Sequence, residues 1–165
     1  MNNFLVSIYN KIIEQSKKKF FFEKFSIPDN FNTRLEIFEL NLIIILWYMK
    51  KTEIEKKNVE LLINFFTKDL EYLLRESGES DSSIPRKTRR LVENFYGRLT
   101  SYTDEFENID EKKKNKLVTK LKKNFDSKKI KYELVEVYIY KNIEFFSELE
   151  KEDFLNLKFD FFSYI

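Results

Sequence analysis

Two glycines and two prolines are all that punctuate 165 residues, so the chain has few natural breaks. Long helices joined by short polar turns are the consequence. The reading is an all-α fold: one domain over residues 1–165, built as a bundle of about six helices with an extended C-terminal tail.

Phe4, Leu5, Ile8, Ile12 and Ile13 keep helical spacing in a first segment, expected to continue through Lys17–Lys19 to Phe20–Phe22. A turn follows over Ser26 to Asn30, because the residue before Pro28 is pushed out of the α region. The second helix is placed from about Thr33 to Lys50; it is apolar nearly all round near its end and should be central. Its longest apolar run, Leu42 to Met49, is far short of the ~20 residues that span a bilayer. Thr52 and Glu55 have the spacing of a capping box and are expected to open a third helix, with Val59, Leu62, Ile63, Phe66, Leu70, Leu73 and Leu74 inward. Gly78 should close it at positive φ, and Ser82 or Ser83 should cap a fourth helix with Pro85 in its first turn. Asp110 is expected to cap a fifth, outer helix whose apolar stripe is Leu117, Val118, Leu121 and Phe125. The aromatic, β-branched stretch Tyr132 to Tyr140 has strand character, yet the spacing of Ile130, Leu134, Val137 and Tyr138 favours a buried helix over 130–149. Ser147 and Glu150 form another capping-box pattern before a short helix at Glu150 to Asn156, and the alternating tail Leu157 to Ile165 is expected to be extended.

The chain contains no cysteine and no histidine. Disulfides, thiolate sites, the usual zinc and haem ligands and the commonest general base are therefore excluded. Only carboxylate, Lys or Tyr chemistry remains, and no pairing of these stands out. The chain is read as a non-enzyme that needs no metal and no cofactor.

Net charge is +2, but it is uneven: residues 112–131 carry ten lysines against one acid, Asp126, leaving the rest of the chain acidic. Lys113, Lys116, Lys120, Lys122 and Lys123 are the candidates for contact with an anionic surface, whether lipid, RNA or an acidic protein. The plainer reading is a solvated helix face. Nothing at the N-terminus has a signal-peptide layout, and Glu14 and Glu23 with no early arginine argue against a mitochondrial transit segment. The expected location is cytoplasmic or peripheral on the inner membrane, or mitochondrial if the chain is eukaryotic and already processed.

Five of the six arginines fall between Arg75 and Arg98, against twenty-four lysines in the whole chain. Arginine retained in so lysine-rich a protein points to a geometric need, because its planar fork makes bidentate contacts that lysine cannot. On a helix of about 100° per residue, Ile84, Thr88, Leu91, Val92, Phe95, Leu99, Tyr102 and Phe106 gather on a core face. Arg86, Arg89, Arg90 and Glu93 lie opposite, with Lys87, Asn94 and Arg98 on one flank. A solvated surface with i,i+4 pairs such as Arg89 to Glu93 would account for the arginines. Gly97 argues for more: in mid-helix it costs about 1 kcal/mol relative to Ala, and a flat strip of Arg90, Asn94, Gly97 and Ser101 lets another backbone come close. Tyr96 lies beside that strip as an amphipathic anchor. The candidate partner-binding set is Arg86, Lys87, Arg90, Asn94, Tyr96, Gly97 and Arg98.

Several motifs occur in order: Phe66-x-x-Asp69-Leu70, Leu73-x-Arg-Glu-x-Gly78, Asp81-x-Ser-Ile-Pro-Arg-Lys87 and Phe95-Tyr-Gly-Arg98, preceded by Ile27-Pro-Asp29 and Arg34-Leu-Glu36. Together they resemble the ubiquinol-cytochrome c chaperone family over about residues 25–102. The resemblance implies an all-α, non-catalytic assembly factor that binds newly made cytochrome b and supports assembly of respiratory complex III. It also implies a small companion chaperone and a ribosome contact as partners; DNA is not expected as a partner. The competing reading is an RNA- or ribosome-binding helical adaptor using the lysine-rich 112–131 segment, and peripheral attachment to anionic lipid through the same lysines is the third.

Overall fold

The computed structural model describes residues 3–108 and 116–165. Among them eight helices follow one another: α1 (Asn3–Ser16), α2 (Phe20–Glu23), α3 (Phe31–Lys51), α4 (Lys56–Glu76), α5 (Ile84–Glu107), α6 (Lys116–Phe125), α7 (Tyr132–Glu148) and α8 (Lys151–Leu155). The all-α class holds, with six longer helices and two short ones. The aromatic stretch from Tyr132 is helical, and no strand occurs among the described residues.

Helix α3 is the axis of the fold. Every residue from Glu39 to Met49 is buried, and α1, α4, α5, α6 and α7 all pack against it. A helix apolar on all sides has no face to offer water, so neighbours must enclose it. Its start is set by Asn30, whose side chain accepts from the Thr33 N–H at 3.0 Å while the Thr33 hydroxyl accepts from the Asn30 N–H at 3.2 Å. That reciprocal cap uses Thr where the usual pattern has Glu or Gln, which is why the sequence pattern passed over it.

Three expected caps are not formed. The Thr52 hydroxyl donates back to the Tyr48 carbonyl at 2.8 Å and ends α3, leaving Glu55 to begin α4 with no side-chain cap. Ser147 lies inside α7 and donates to Ile143 O at 2.6 Å. Ser83 does precede α5, but its hydroxyl turns to Ser80 O at 2.9 Å. Ser and Thr hydroxyls reach a carbonyl three or four residues back as easily as an N–H ahead, so spacing alone does not choose between the two. Asp110 lies outside the described residues.

The first helix is also shorter than its spacing predicts. It ends at Ser16, whose hydroxyl bonds back to Ile12 O at 2.7 Å, and the chain re-enters a helix only at Phe20. The break lets Phe20 and Phe21 both turn inward, where they stack at 4.3 Å between centroids and meet Phe25 and Tyr138. Of the residues expected inward, Leu73 on α4 and Val137 on α7 are instead exposed. The C-terminal tail has no regular structure; it buries Phe159 and Phe161, and Asn142 holds the Phe162 backbone at 2.9 and 3.4 Å.

One buried polar network joins α1, α3, α7 and the tail. The Tyr138 hydroxyl donates to Asn41 Oδ1 at 2.7 Å and accepts from Gln15 Nε2 at 3.0 Å; Asn41 Nδ2 donates to Ser16 Oγ, and Gln15 also reaches Ser163. All three central residues are at most 2 % exposed, so each lost bond leaves a group that water cannot repair. Tyr138→Phe is expected to lower stability by about 1–3 kcal/mol, read as a lower urea midpoint with unchanged slope.

Candidate functional site

Helices α4 and α5 form a hairpin whose corner is set by Gly78. At φ +88° it lets the Gly78 N–H reach Arg75 O and the Glu79 N–H reach Leu74 O, both at 3.1 Å, which satisfies the last carbonyls of α4. The chain then re-enters a helix at Ile84, with Pro85 in the first turn as expected. Ile84, Thr88, Phe95, Tyr102 and Phe106 are buried, while Leu91, Val92 and Leu99 are partly so. The core stripe read from the sequence therefore faces the core and fixes what the other side presents.

The outer side presents Arg86, Arg89 and Arg90, all exposed and none in an ion pair among the described residues. The expected Arg89–Glu93 pair does not form, so these guanidinium groups remain available. Asn94, Tyr96 and Gly97 are exposed beside them, Tyr96 at 47 %. A Cβ built on Gly97 would meet nothing within 4 Å, and its φ is not positive. Neither internal packing nor backbone geometry requires glycine there. Gly97→Ala is accordingly expected to raise stability by about 1 kcal/mol, seen as a higher thermal midpoint.

Two members of the expected set are committed inside the chain. Lys87 pairs with Glu79 across the hairpin corner, holding that carboxyl below its usual range. Arg98 turns toward α3, where it grips Glu36 through two contacts at 2.6 and 2.9 Å and lies 3.6 Å from Glu39. A further N–H of Arg98 donates to Asn94 O at 3.1 Å. These groups line a polar cleft of about 660 Å³ that also involves Asn30, Asn124 and Lys123. One guanidinium serves two buried carboxylates, and Glu36 takes the fork formed by its Nε and one terminal nitrogen. Glu39, only 3 % exposed in its side chain, is pushed up to about 8, first by burial and then by the neighbouring Glu36 charge. Burial also raises Glu36, with Arg98 pulling the other way. Sequence reading missed this cluster, although two carboxylates three residues apart at the entrance to an apolar helix were a visible signal.

Also unforeseen is an apolar groove of about 910 Å³ among α1, α2, α3 and α4, walled by Tyr9, Ile13, Phe22, Phe38, Phe66 and Leu73. Phe31 at its edge is 46 % exposed. Of the charged groups on its rim, Asp29 grips Arg34 and Asp69 accepts from the Tyr9 hydroxyl, while Lys17 is exposed and makes no ion pair among the described residues. Residues from four separate helices build it, so no single periodicity announces it.

On α6, Leu117, Leu121 and Phe125 are buried as expected, and Lys116, Lys122 and Lys123 are exposed. Lys120 instead turns in to Glu105 and to Ser101 O, each at 2.9 Å. Lys113 lies outside the described residues. Among the described residues no cluster of acids suits a metal ion, and no helix is long and apolar enough to cross a membrane.

The family model of the ubiquinol-cytochrome C chaperones matches residues 23–161. The chain belongs to the ubiquinol-cytochrome c chaperone family. Family membership supports a chaperone role in complex III assembly, and the match runs well past residues 25–102, where the recognisable motifs lie. It takes in α6, α7 and part of the tail. Among solved structures, the crystal structure of the Cbp3 homolog from Brucella abortus is similar, with a TM-score of 0.82 and 22 % identity over 98 % of this chain and 90 % of that one. At that identity the likeness concerns the chaperone fold. No curated protein matches the chain.

The Glu39 carboxyl gives this chaperone a pH signature. The folded state keeps a proton that the unfolded chain releases, so this contribution to stability is complete below the ordinary value of 4.5 and is lost as pH rises through about 8. Glu39→Gln should be more stable than the parent by about 2 kcal/mol near pH 9, with the advantage vanishing in acid, as followed by urea unfolding across pH.

Proposed function

We propose that this protein is a non-catalytic chaperone that receives newly made cytochrome b through the outer face of α5. The observation that carries the reading is the set of three exposed, unpaired arginines, Arg86, Arg89 and Arg90, beside an open Gly97, in a chain of this family. Arg86 and Arg90 lie one turn apart and offer planar donor forks to acidic groups or free carbonyls of the client. Gly97 admits a backbone close to the helix, and Tyr96 adds an amphipathic ring of the kind that anchors interfaces. Arg98 and Lys87 contribute by holding α5 to α3 and to the hairpin corner, so that the free arginines are presented from a fixed helix. The apolar groove, whose two acidic rim groups are already engaged within the chain, is suited to an apolar segment of a membrane-protein client.

A photoreactive probe at Tyr96 in cells, followed by identification of the trapped protein, tests the reading. Recovery of cytochrome b is expected; recovery of ribosomal proteins alone would favour the adaptor reading. Arg86→Glu with Arg90→Glu should reduce client capture by at least about tenfold, equivalent to about 1.4 kcal/mol, while leaving the circular dichroism spectrum unchanged. Gly97→Leu should do the same by blocking close approach.

A further inference from the structure

We propose that the lysine face formed by α6 and the loop leading to α7 docks on the surface of an anionic phospholipid bilayer. Six lysines form it: Lys116, Lys122, Lys123, Lys128, Lys129 and Lys131, all exposed and none in an ion pair among the described residues. Among the described residues, the exposed acids in and beside this stretch are Asp126 and Glu133. The fold itself uses the opposite side of α6, where Leu117, Leu121 and Phe125 are buried, and draws on a single lysine, Lys120, for an internal ion pair. The other charges are left facing outward and free of ion pairs among the described residues, Lys122 with its ammonium 5.8 Å from the centroid of the Tyr132 ring.

The chemistry of the face favours lipid over nucleic acid. The chain has no arginine after Arg98, so no planar fork is available to grip individual phosphates. The rings nearest these lysines, Phe125 and Tyr132, are 6 % and 4 % exposed and offer no platform for stacked bases. What remains is a set of mobile, hydrated point charges on the outside of a helix and a loop, suited to the diffuse negative potential of a headgroup layer. Lys116 and Lys123 lie two turns apart on the outer line of α6, about 10 Å, with Lys122 on its flank and the other three beyond its C-terminal end. The inference rests on the proposed function in one respect: a chaperone for a membrane subunit meets its client at a bilayer, and among the described residues no helix crosses one.

Flotation of the full chain with vesicles of phosphatidylcholine, or of phosphatidylcholine with phosphatidylglycerol, tests the proposal without any client present. Recovery is expected with the anionic vesicles only, weakening as salt is raised. At about 1 kcal/mol per lysine, Lys122→Gln with Lys123→Gln should weaken partition about 30-fold. Lys128→Gln with Lys129→Gln, which alters no helix, should have a comparable effect. Equal recovery on both vesicle types, or binding indifferent to both double substitutions, overturns the proposal. So does displacement from anionic vesicles by single-stranded RNA at matched phosphate concentration, which would assign the face to RNA. The two surfaces separate cleanly: the lysine variants should still capture client in detergent, and Arg86→Glu with Arg90→Glu should still float.

Discussion

The burial of α3 is the constraint on which the rest of this structure depends. A helix with eleven consecutive buried residues, Glu39 to Met49, cannot exist until other helices surround it. Hydrophobic burial provides the driving force, roughly 1.5–3 kcal/mol for each fully buried Leu, Ile or Phe, but it is non-directional and does not say which neighbour belongs where. Polar groups along α3 make that choice. Asn41 binds Ser16 of α1 and Tyr138 of α7; Glu36 and Glu39 bind Arg98 of α5. Near the other end, the Trp47 Nε1–H donates to Glu107 at 2.9 Å and the Tyr48 hydroxyl to Leu149 O at 2.8 Å. Each bond fixes one surrounding element at one height along the axis.

The arginine helix shows how this arrangement divides labour among chemically identical side chains. Arg98 lies on the flank nearest α3 and is drawn into the carboxylate pair, where burial opposes its charge and the two glutamates more than compensate. Arg86, Arg89 and Arg90 lie further round the same helix, meet no acid and stay at the surface. The inward arginine fixes the rotation of α5 about its axis, and that rotation aims the others outward. Lysines divide in the same way: Lys120 closes on Glu105 while Lys116, Lys122 and Lys123 face solvent. Binding chemistry on the outside is thus positioned by ion pairs within.

Three different surfaces result: free guanidinium groups with an open glycine on α5, an apolar groove among α1 to α4, and a lysine face on α6 and the loop that follows it. A chaperone that holds a membrane-protein subunit before assembly needs to engage polar termini or loops, shield apolar segments and work close to a bilayer. Under the proposed function the three surfaces answer those needs, and residues that look spare in a single helix acquire distinct uses.

Local sequence was enough to define the six longer helices, the central place of α3, the core stripe of α5 and the positive φ of Gly78, because these depend on residues close together in the chain. The exposure of Arg86 and Arg90 follows from the same wheel. Tertiary structure decided the matters in which two distant segments compete for one group. Whether Thr52 caps forward or bonds back, whether Arg98 faces a partner or Glu36, whether Leu73 is buried or borders a groove, and whether α1 continues past Ser16 all depend on what is packed opposite. A hydrogen-bonding group goes to the nearest partner in space, and that partner can be sixty-two residues away, as Glu36 is from Arg98.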